Sequence, residues 1–114
     1  MPNLERGRVK ETRPFYFLSF FNSSFSIVNH RLMGDRVVHL VSAKNTRRLE
    51  GPDMIVLHYT AGTSAESSAL FLTRPDVSAS AHLVIGRGGE VFQLVPFNIE
   101  AWHAGKSWYA GRGG

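Results

Sequence analysis

The hydrophobic and polar positions change period several times along the chain, and each change marks an expected boundary. Residues 36–41 are short, β-branched and apolar, which favours a strand. Residues 54–59 are a continuous apolar run up to a histidine and a tyrosine, which is typical of a strand buried on both faces. The polar stretch between these runs contains Gly51-Pro52 and predicts a loop.

A helix is expected over residues 64–73. Ala65, Ala69 and Leu72 recur at helical spacing and would form one apolar stripe. Thr63 and Glu66 stand in the order of a capping box, so the Thr63 hydroxyl is predicted to cap the first turn. The Arg74-Pro75 step predicts the end of the helix, because a residue that precedes proline avoids the helical region.

A β-hairpin is expected next along the chain. Residues 80–85 and 90–95 read as strands, and the Gly86-Arg-Gly-Gly89 stretch between them allows the positive φ of a tight turn. Residues 97–114 look irregular, and residues 1–26 fit no recognisable element. The β–α–β–β order predicts an α/β domain over residues 27–114 with a mixed sheet, preceded by a basic and aromatic extension over 1–26.

Composition narrows the classes of protein that remain. A length of 114 residues fits one domain, and 43% apolar residues are enough to build a core. The absence of cysteine excludes disulfides, iron–sulfur clusters, cysteine-based zinc fingers and a cysteine nucleophile. No apolar run approaches the roughly 20 residues that a membrane-spanning helix needs.

The net charge of +4 belongs to the front of the chain, since residues 1–48 hold nine Lys/Arg and three Asp/Glu. This asymmetry fits a solvated basic extension, or an anionic partner such as a nucleic acid, a membrane or a cell-wall polymer. No nucleic-acid-binding motif accompanies it, so a nucleic-acid partner is not expected.

The histidines are the candidate transition-metal ligands of a chain without cysteine. His58 ends the apolar run just before a glycine-containing turn, where α/β sheets place ligands, and either a metal or a loop carbonyl would satisfy it. His82 lies within a predicted strand. It is either a hydrogen-bonded core histidine, or it points across to the His58 strand and supports the site from behind. His30 and His39 are expected at the surface.

Trp102 and His103 are the second candidate site. A Trp-His pair with nearby glycines is typical of a groove wall on which a flat or sugar-like ligand stacks. The alternative is a tryptophan that plugs the end of the core and leaves His103 exposed. Serine-nucleophile and phosphate-loop motifs are absent, and Glu66 and Glu90 are explained by capping and by hairpin exposure.

Three segments together resemble the type 2 N-acetylmuramoyl-L-alanine amidases, a family related to peptidoglycan recognition proteins. They are Ile55-Val-Leu-His-Tyr-Thr-Ala-Gly62, residues 80–95 and Ala101-Trp-His-Ala-Gly-Lys-Ser107, in this order and spacing. The resemblance covers about residues 27–114. It implies an amidase-like α/β fold, with a mixed sheet flanked by helices.

The resemblance also implies a zinc hydrolase that cleaves the amide between N-acetylmuramic acid and L-alanine in peptidoglycan or muropeptides. Zn²⁺ would lower the pKa of its bound water and polarise the scissile carbonyl. His58 matches the family's first zinc ligand. His103 matches a groove residue near the metal, which implies a contact with substrate or help with the oxyanion, beside Trp102.

The chain ends before the family's later glutamate-bearing strand and its second and third zinc ligands. We therefore expect a fold that is incomplete at its C-terminus, and a 114-residue chain without the full catalytic set. The alternative function is a non-catalytic peptidoglycan-binding module lined by Trp102, His103, Trp108 and Tyr109. The sequence does not distinguish a cytoplasmic from an envelope protein, or a bacterial from a phage source.

Overall fold

The computed structural model describes residues 24–109 and 111–113, together with the backbone of 3–5 and 8–10. The aromatic stretch from Phe15 to Ser23 lies outside the described residues. The described part holds one helix, α1 (Ala65–Leu72), and nine short strands. The strands are β1 (Asn3–Glu5), β2 (Arg8–Lys10), β3 (Ser26–Val28), β4 (Arg31–Met33), β5 (Val37–His39), β6 (Leu83–Ile85), β7 (Val91–Gln93), β8 (Trp108–Tyr109) and β9 (Arg112–Gly113).

A three-stranded sheet in the order β5-β7-β6 is the centre of the fold. β7 pairs antiparallel with β6, with Val84 opposite Phe92, and parallel with β5, with Val38 opposite Phe92. The turn between β6 and β7 places Gly89 at a φ of +91°, a conformation that glycine adopts without a Cβ penalty. The sheet confirms the predicted hairpin, the strand in 36–41 and the mixed α/β class, although each strand is three residues long.

The remaining strands form three two-stranded hairpins, β1-β2, β3-β4 and β8-β9. β8-β9 lies in the 97–114 stretch that was expected to be irregular. The β3-β4 hairpin is bonded to the central sheet through the fully buried Gln93 side chain. The Leu32 backbone N–H donates to Gln93 Oε1 at 2.6 Å, and Gln93 Nε2 donates to the Val95 carbonyl at 3.0 Å.

The N-cap of helix α1 lies one residue later than predicted. Ser64 is the N-cap: its Oγ accepts from the Ser67 backbone N–H at 3.0 Å, and Ser67 Oγ accepts from the Ser64 N–H at 3.3 Å. The predicted box of Thr63 and Glu66 is therefore wrong, because a second hydroxyl pair with the same three-residue spacing lies one position along. The predicted end is confirmed, since Thr73 is the C-cap and precedes Arg74-Pro75.

The hydrophobic core lies between α1 and the central sheet. Its buried members are Ala69, Val84, Phe92, Leu94, Val95 and Ala101, with Ala65 and Leu72 packed against them. The predicted apolar stripe of the helix therefore faces the core. Among the described residues α1 is the single helix, so one of the flanking helices that the resemblance implies is seen in this part of the chain. No helix in this part of the chain has the length and apolarity to cross a membrane.

The predicted buried strand at 54–59 is wrong. Residues 54–59 are exposed and belong to no strand, and the Tyr59 side chain is 95% exposed. A strand needs a neighbour for its N–H and C=O groups. Within the described residues the three-strand sheet is built from β5, β6 and β7, and this run has no strand partner.

Candidate functional site

Two histidines that lie 45 positions apart in sequence meet at the candidate site. His58 Nε2 lies 3.1 Å from His103 Nδ1, and the ring centroids are 5.3 Å apart with an interplanar angle of 53°. Both residues are exposed. The expected position of His58 at the end of a buried strand is therefore wrong, but its ring faces the histidine of the Trp102-His103 pair.

An open cleft of about 490 Å³ adjoins this histidine pair. Apolar surface is supplied by Leu49, Ala101 and Trp102, and charge by Arg47, Glu100 and Lys106. Arg47 Nη1 lies 3.6 Å from Glu100 Oε2, so these two charges are close enough to pair. Because Lys106 also lines the cleft, the charges of the lining sum to an excess of positive charge. This favours a ligand that carries carboxylates.

Trp102 is held in the cleft wall by its backbone. Its N–H donates to Ser80 Oγ at 2.8 Å, and its carbonyl accepts from the Ser80 N–H at 2.9 Å. Ser80 is buried, whereas the Trp102 side chain remains 40% exposed. The indole ring is therefore fixed at its base and open to the cleft, as ring stacking on a sugar requires.

The environment of His103 disfavours its protonated form. The His103 ring is accessible to water on one side, but its partial desolvation by neighbouring atoms is the main reason that its pKa lies below the ordinary value, and a positive charge on His58 or His82 lowers it further. Glu100 acts in the opposite direction. The neutral ring has one donor and one acceptor nitrogen, so it can share a single hydrogen with His58.

His82 is half-buried and hydrogen-bonded. Its Nε2 lies 2.6 Å from the Ile99 carbonyl oxygen, and its ring lies 6.2 Å from Phe97. This arrangement agrees with a satisfied core histidine. His30 and His39 are exposed, as expected, and His39 Nε2 lies 2.8 Å from the Leu32 carbonyl oxygen.

A family model described as N-acetylmuramoyl-L-alanine amidase matches residues 46–113, more than half of the chain. The chain belongs to the N-acetylmuramoyl-L-alanine amidase family. The matched residues include the histidine pair and all the residues that line the cleft.

Curated relatives in this amidase family match shorter segments. The 1,6-anhydro-N-acetylmuramyl-L-alanine amidase AmpD of Escherichia coli is 41% identical over 54 residues, which are 47% of this chain and 30% of the relative. The enzyme of the same name from Citrobacter freundii is 61% identical over 33 residues, which are 29% of this chain and 18% of the relative. The chain thus spans less than a third of these relatives' length. No solved structure matches it significantly.

The zinc that the amidase family implies can be tested against the donors that meet at the site. A catalytic zinc centre uses about three protein ligands and a water. Among the described residues no group of three His, Cys, Asp or Glu side chains converges. His58 and His103 supply two nitrogens, so the described donor set does not fit a complete zinc centre.

Two residues that support the cleft in this amidase-family chain carry no clear signal in the sequence pattern. Lys44 Nζ donates to three backbone carbonyls, and Asn45 Nδ2 donates to the Glu100 carbonyl at 3.1 Å. Both lie in a polar stretch that predicted only a loop. Their signal was weak, because surface lysines and asparagines are common in loops; the buried state of Asn45 is visible only in the fold.

The side chains of Trp108 and Tyr109, which the alternative function places in the groove, lie outside the described residues.

Proposed function

We propose that this chain forms the substrate-binding cleft and part of the catalytic site of a peptidoglycan amidase. The reaction adds water to the amide between the lactyl group of N-acetylmuramic acid and L-alanine. The C–N bond breaks, leaving a carboxylate on the sugar side and a free amine on the peptide side. The observation that carries the proposal is the 3.1 Å approach of His58 to His103 beside the cleft.

The cleft supports binding at both ends of such a substrate. The exposed face of Trp102 offers a stacking surface for the sugar ring. Arg47 and Lys106 lie in the cleft lining, where their positive charges suit the carboxylates of a stem peptide. His103 also lines the cleft and is the candidate catalytic and substrate-contacting residue.

The proposal assigns His58 as a zinc ligand, as the family resemblance implies. Zinc, when bound, would polarise the scissile carbonyl and lower the pKa of a bound water. Since the described donors do not complete a zinc centre, we derive no chemical step through the ion. What the chain itself provides is a neutral His103 imidazole, which can accept or donate one proton near the amide.

The names of the relatives suggest the form of the substrate. AmpD is named for 1,6-anhydro-N-acetylmuramyl-L-alanine. We infer that the cleft takes a soluble muropeptide of this kind, because it is open and its lining contains one indole ring, that of Trp102.

The test is a comparison of three chains on one substrate. The chain is joined to the C-terminal part of the Escherichia coli relative, which supplies the later family segment. This fusion and its His58→Ala and His30→Asn variants are incubated with a 1,6-anhydro-N-acetylmuramyl tripeptide and ZnCl₂, and released peptide is measured by chromatography. His30 is exposed at a φ of +64°, where asparagine is tolerated, so its variant is a matched control. The expected result is hydrolysis that His58→Ala abolishes and His30→Asn retains. Equal loss in both variants would contradict the assignment.

A second candidate is a peptidoglycan-binding module without catalysis. The observation that favours it is the meeting of only two candidate metal ligands among the described residues. Its signature is binding of the same muropeptide, measured by calorimetry, without hydrolysis and without any weakening by a chelator. A chain that neither binds nor cleaves the muropeptide contradicts both candidates.

A further inference from the structure

Lys44 makes an unusual set of contacts for a loop lysine. Its Nζ donates to the carbonyls of Arg74 at 2.8 Å, Val77 at 2.6 Å and Ala79 at 2.9 Å. An ammonium group carries three N–H donors, so these contacts satisfy all of them. One side chain therefore fixes three points of the loop that follows α1.

This loop leads directly into the support of Trp102. Ser80, the residue after Ala79, makes both backbone hydrogen bonds that hold Trp102. The Lys44 ammonium also lies 5.8 Å from the centre of the Trp102 ring, within the range of a cation–π contact. Lys44 thus acts on the indole through the loop and through the ring face.

Within the part of the chain that the structure describes, no other cation donates to these three carbonyls. The last turn of α1 contains no basic residue. The Arg74 guanidinium is engaged with Asp76, at 3.0 Å and 2.7 Å, and so faces its own loop. The turn that carries Lys44 is closed by a hydrogen bond between its flanking residues, in which Ser42 Oγ donates to Asn45 Oδ1 at 2.9 Å.

We propose that Lys44 is a positioning residue for the cleft: it fixes the 74–79 loop through three carbonyls and thereby sets the orientation of the Trp102 indole that binds the sugar. The sugar in this statement rests on the proposed function. The orientation of Trp102 does not, and it is measured without any ligand.

The geometry requires a lysine and not simply a positive charge. The three carbonyl oxygens converge on one nitrogen. A guanidinium is planar and spreads its donors over three nitrogens, so it cannot meet all three oxygens from the same position. The Lys44→Arg variant therefore keeps the charge and loses the geometry, whereas Lys44→Met keeps the length of the stem and loses both.

The experiment measures the exposure of Trp102 and the binding of ligand in separate arms. Trp108→Phe is introduced throughout, so that Trp102 is the single tryptophan. Lys44→Met, Lys44→Arg and Arg87→Met are made in this background. Arg87 is exposed in the β6-β7 turn, and its variant removes the same charge as Lys44→Met. Acrylamide quenching of fluorescence measures the solvent accessibility of the Trp102 indole, and calorimetry measures the affinity for the 1,6-anhydro muramyl tripeptide.

Both Lys44 variants are expected to shift Trp102 emission, increase its quenching and weaken ligand binding by about tenfold, equivalent to roughly 1.4 kcal/mol. Arg87→Met should leave all three unchanged. If acrylamide quenches Trp102 emission in both Lys44 variants to the same extent as in the parent, the positioning role is overturned. If quenching changes while the unmodified chain, with Trp108 in place, binds no ligand, the positioning role stands and the proposed function fails.

A measurement on the unmodified chain covers the case in which the Lys44 variants do not fold. NMR of ¹⁵N-lysine-labelled protein should show a slowly exchanging Lys44 ammonium, with couplings across hydrogen bonds to the carbonyl carbons of Arg74, Val77 and Ala79. An ammonium that exchanges as fast as that of Lys106 overturns the proposal.

Discussion

His58 and His103 form a pair whose facing nitrogens share one hydrogen bond. Their facing nitrogens are 3.1 Å apart, so one nitrogen donates and the other must accept. Two protonated rings would place two N–H groups against each other. The hydrogen bond between the two rings therefore requires at least one of the facing nitrogens to be unprotonated.

The pKa of His103 gives a prediction at this scale. Replacement of His58 by Gln removes the second of the causes that lower the pKa of His103, while the first, burial, remains. The pKa of His103 should therefore rise part of the way towards its ordinary value of 6.5. NMR titration of the ring protons in the presence of a chelator measures the change.

The sign of the accompanying stability change follows from the same shift. Because the folded-state pKa is lowered, His103 contributes stability that is present above pH 6.5 and is lost as the pH falls through the folded-state pKa. The His58→Gln variant should lose less stability over this interval. His39→Gln is the control, and a His103 titration curve that both variants leave unchanged would contradict the coupling.

The N-cap of α1 is Ser64, one residue after the Thr63 that the sequence pattern indicated, and two substitutions distinguish these positions. Ser64→Ala removes the acceptor of the Ser67 N–H and should lower the free energy of unfolding by about 1 kcal/mol. Thr63→Ala removes a hydroxyl that contacts Ser67 Oγ at 3.3 Å but caps no backbone group, so its effect should be smaller. Urea denaturation measures the free energy of unfolding of both variants. A larger loss in Thr63→Ala than in Ser64→Ala would show that Thr63 is the cap.

In the sheet, the buried Gln93 side chain joins the β3-β4 hairpin to the central strands. Gln93→Leu fits a similar volume but leaves the Leu32 N–H and the Val95 carbonyl without their partner. We expect a loss of about 2–4 kcal/mol in the free energy of unfolding, because buried backbone groups left unpaired are costly. Ser78→Leu, at an exposed position, should be nearly neutral. Similar losses in both variants would show that the amide does not join β3-β4 to the sheet.

Across the whole molecule, protection from solvent is expected to be uneven. The Val91 and Leu94 amides donate to the Arg36 and His82 carbonyls at 2.9 Å each, within the central sheet. Residues 54–59 are exposed and have no strand partner among the described residues. Hydrogen exchange should therefore be slow at Val91 and Leu94 and fast from Ile55 to Tyr59. Slow exchange in that run would show that it is paired.

The comparison of sequence with structure separates local from long-range information. The hairpin, the apolar stripe of α1 and the end of α1 were predictable, because glycine conformation, helical spacing and proline sterics act within a few residues. The state of residues 54–59 was not, because a continuous apolar run specifies a strand only if another segment supplies hydrogen bonds. Lys44 was missed for the same reason, since its three partners lie 30 to 35 positions away.

The candidate site was predictable in part. His58 and the Trp102-His103 pair were selected from the sequence, and the fold brings the two histidines together. Their roles in metal binding and catalysis stay predictions. Arg47 and Glu100, which add charge to the cleft, had no local signal, because their meeting depends on the bridge between Arg48 and Ile99.

The exposed run at 54–59 also has a practical consequence at the bench. The four consecutive apolar side chains from Met54 to Leu57, with Leu57 64% exposed, form an exposed hydrophobic patch. Purified material should stay longer on a phenyl resin than its charge suggests, and should be lost to plastic and ultrafiltration membranes at low concentration. Small amounts of a non-ionic detergent in the buffer would then improve recovery and the reproducibility of every assay described above.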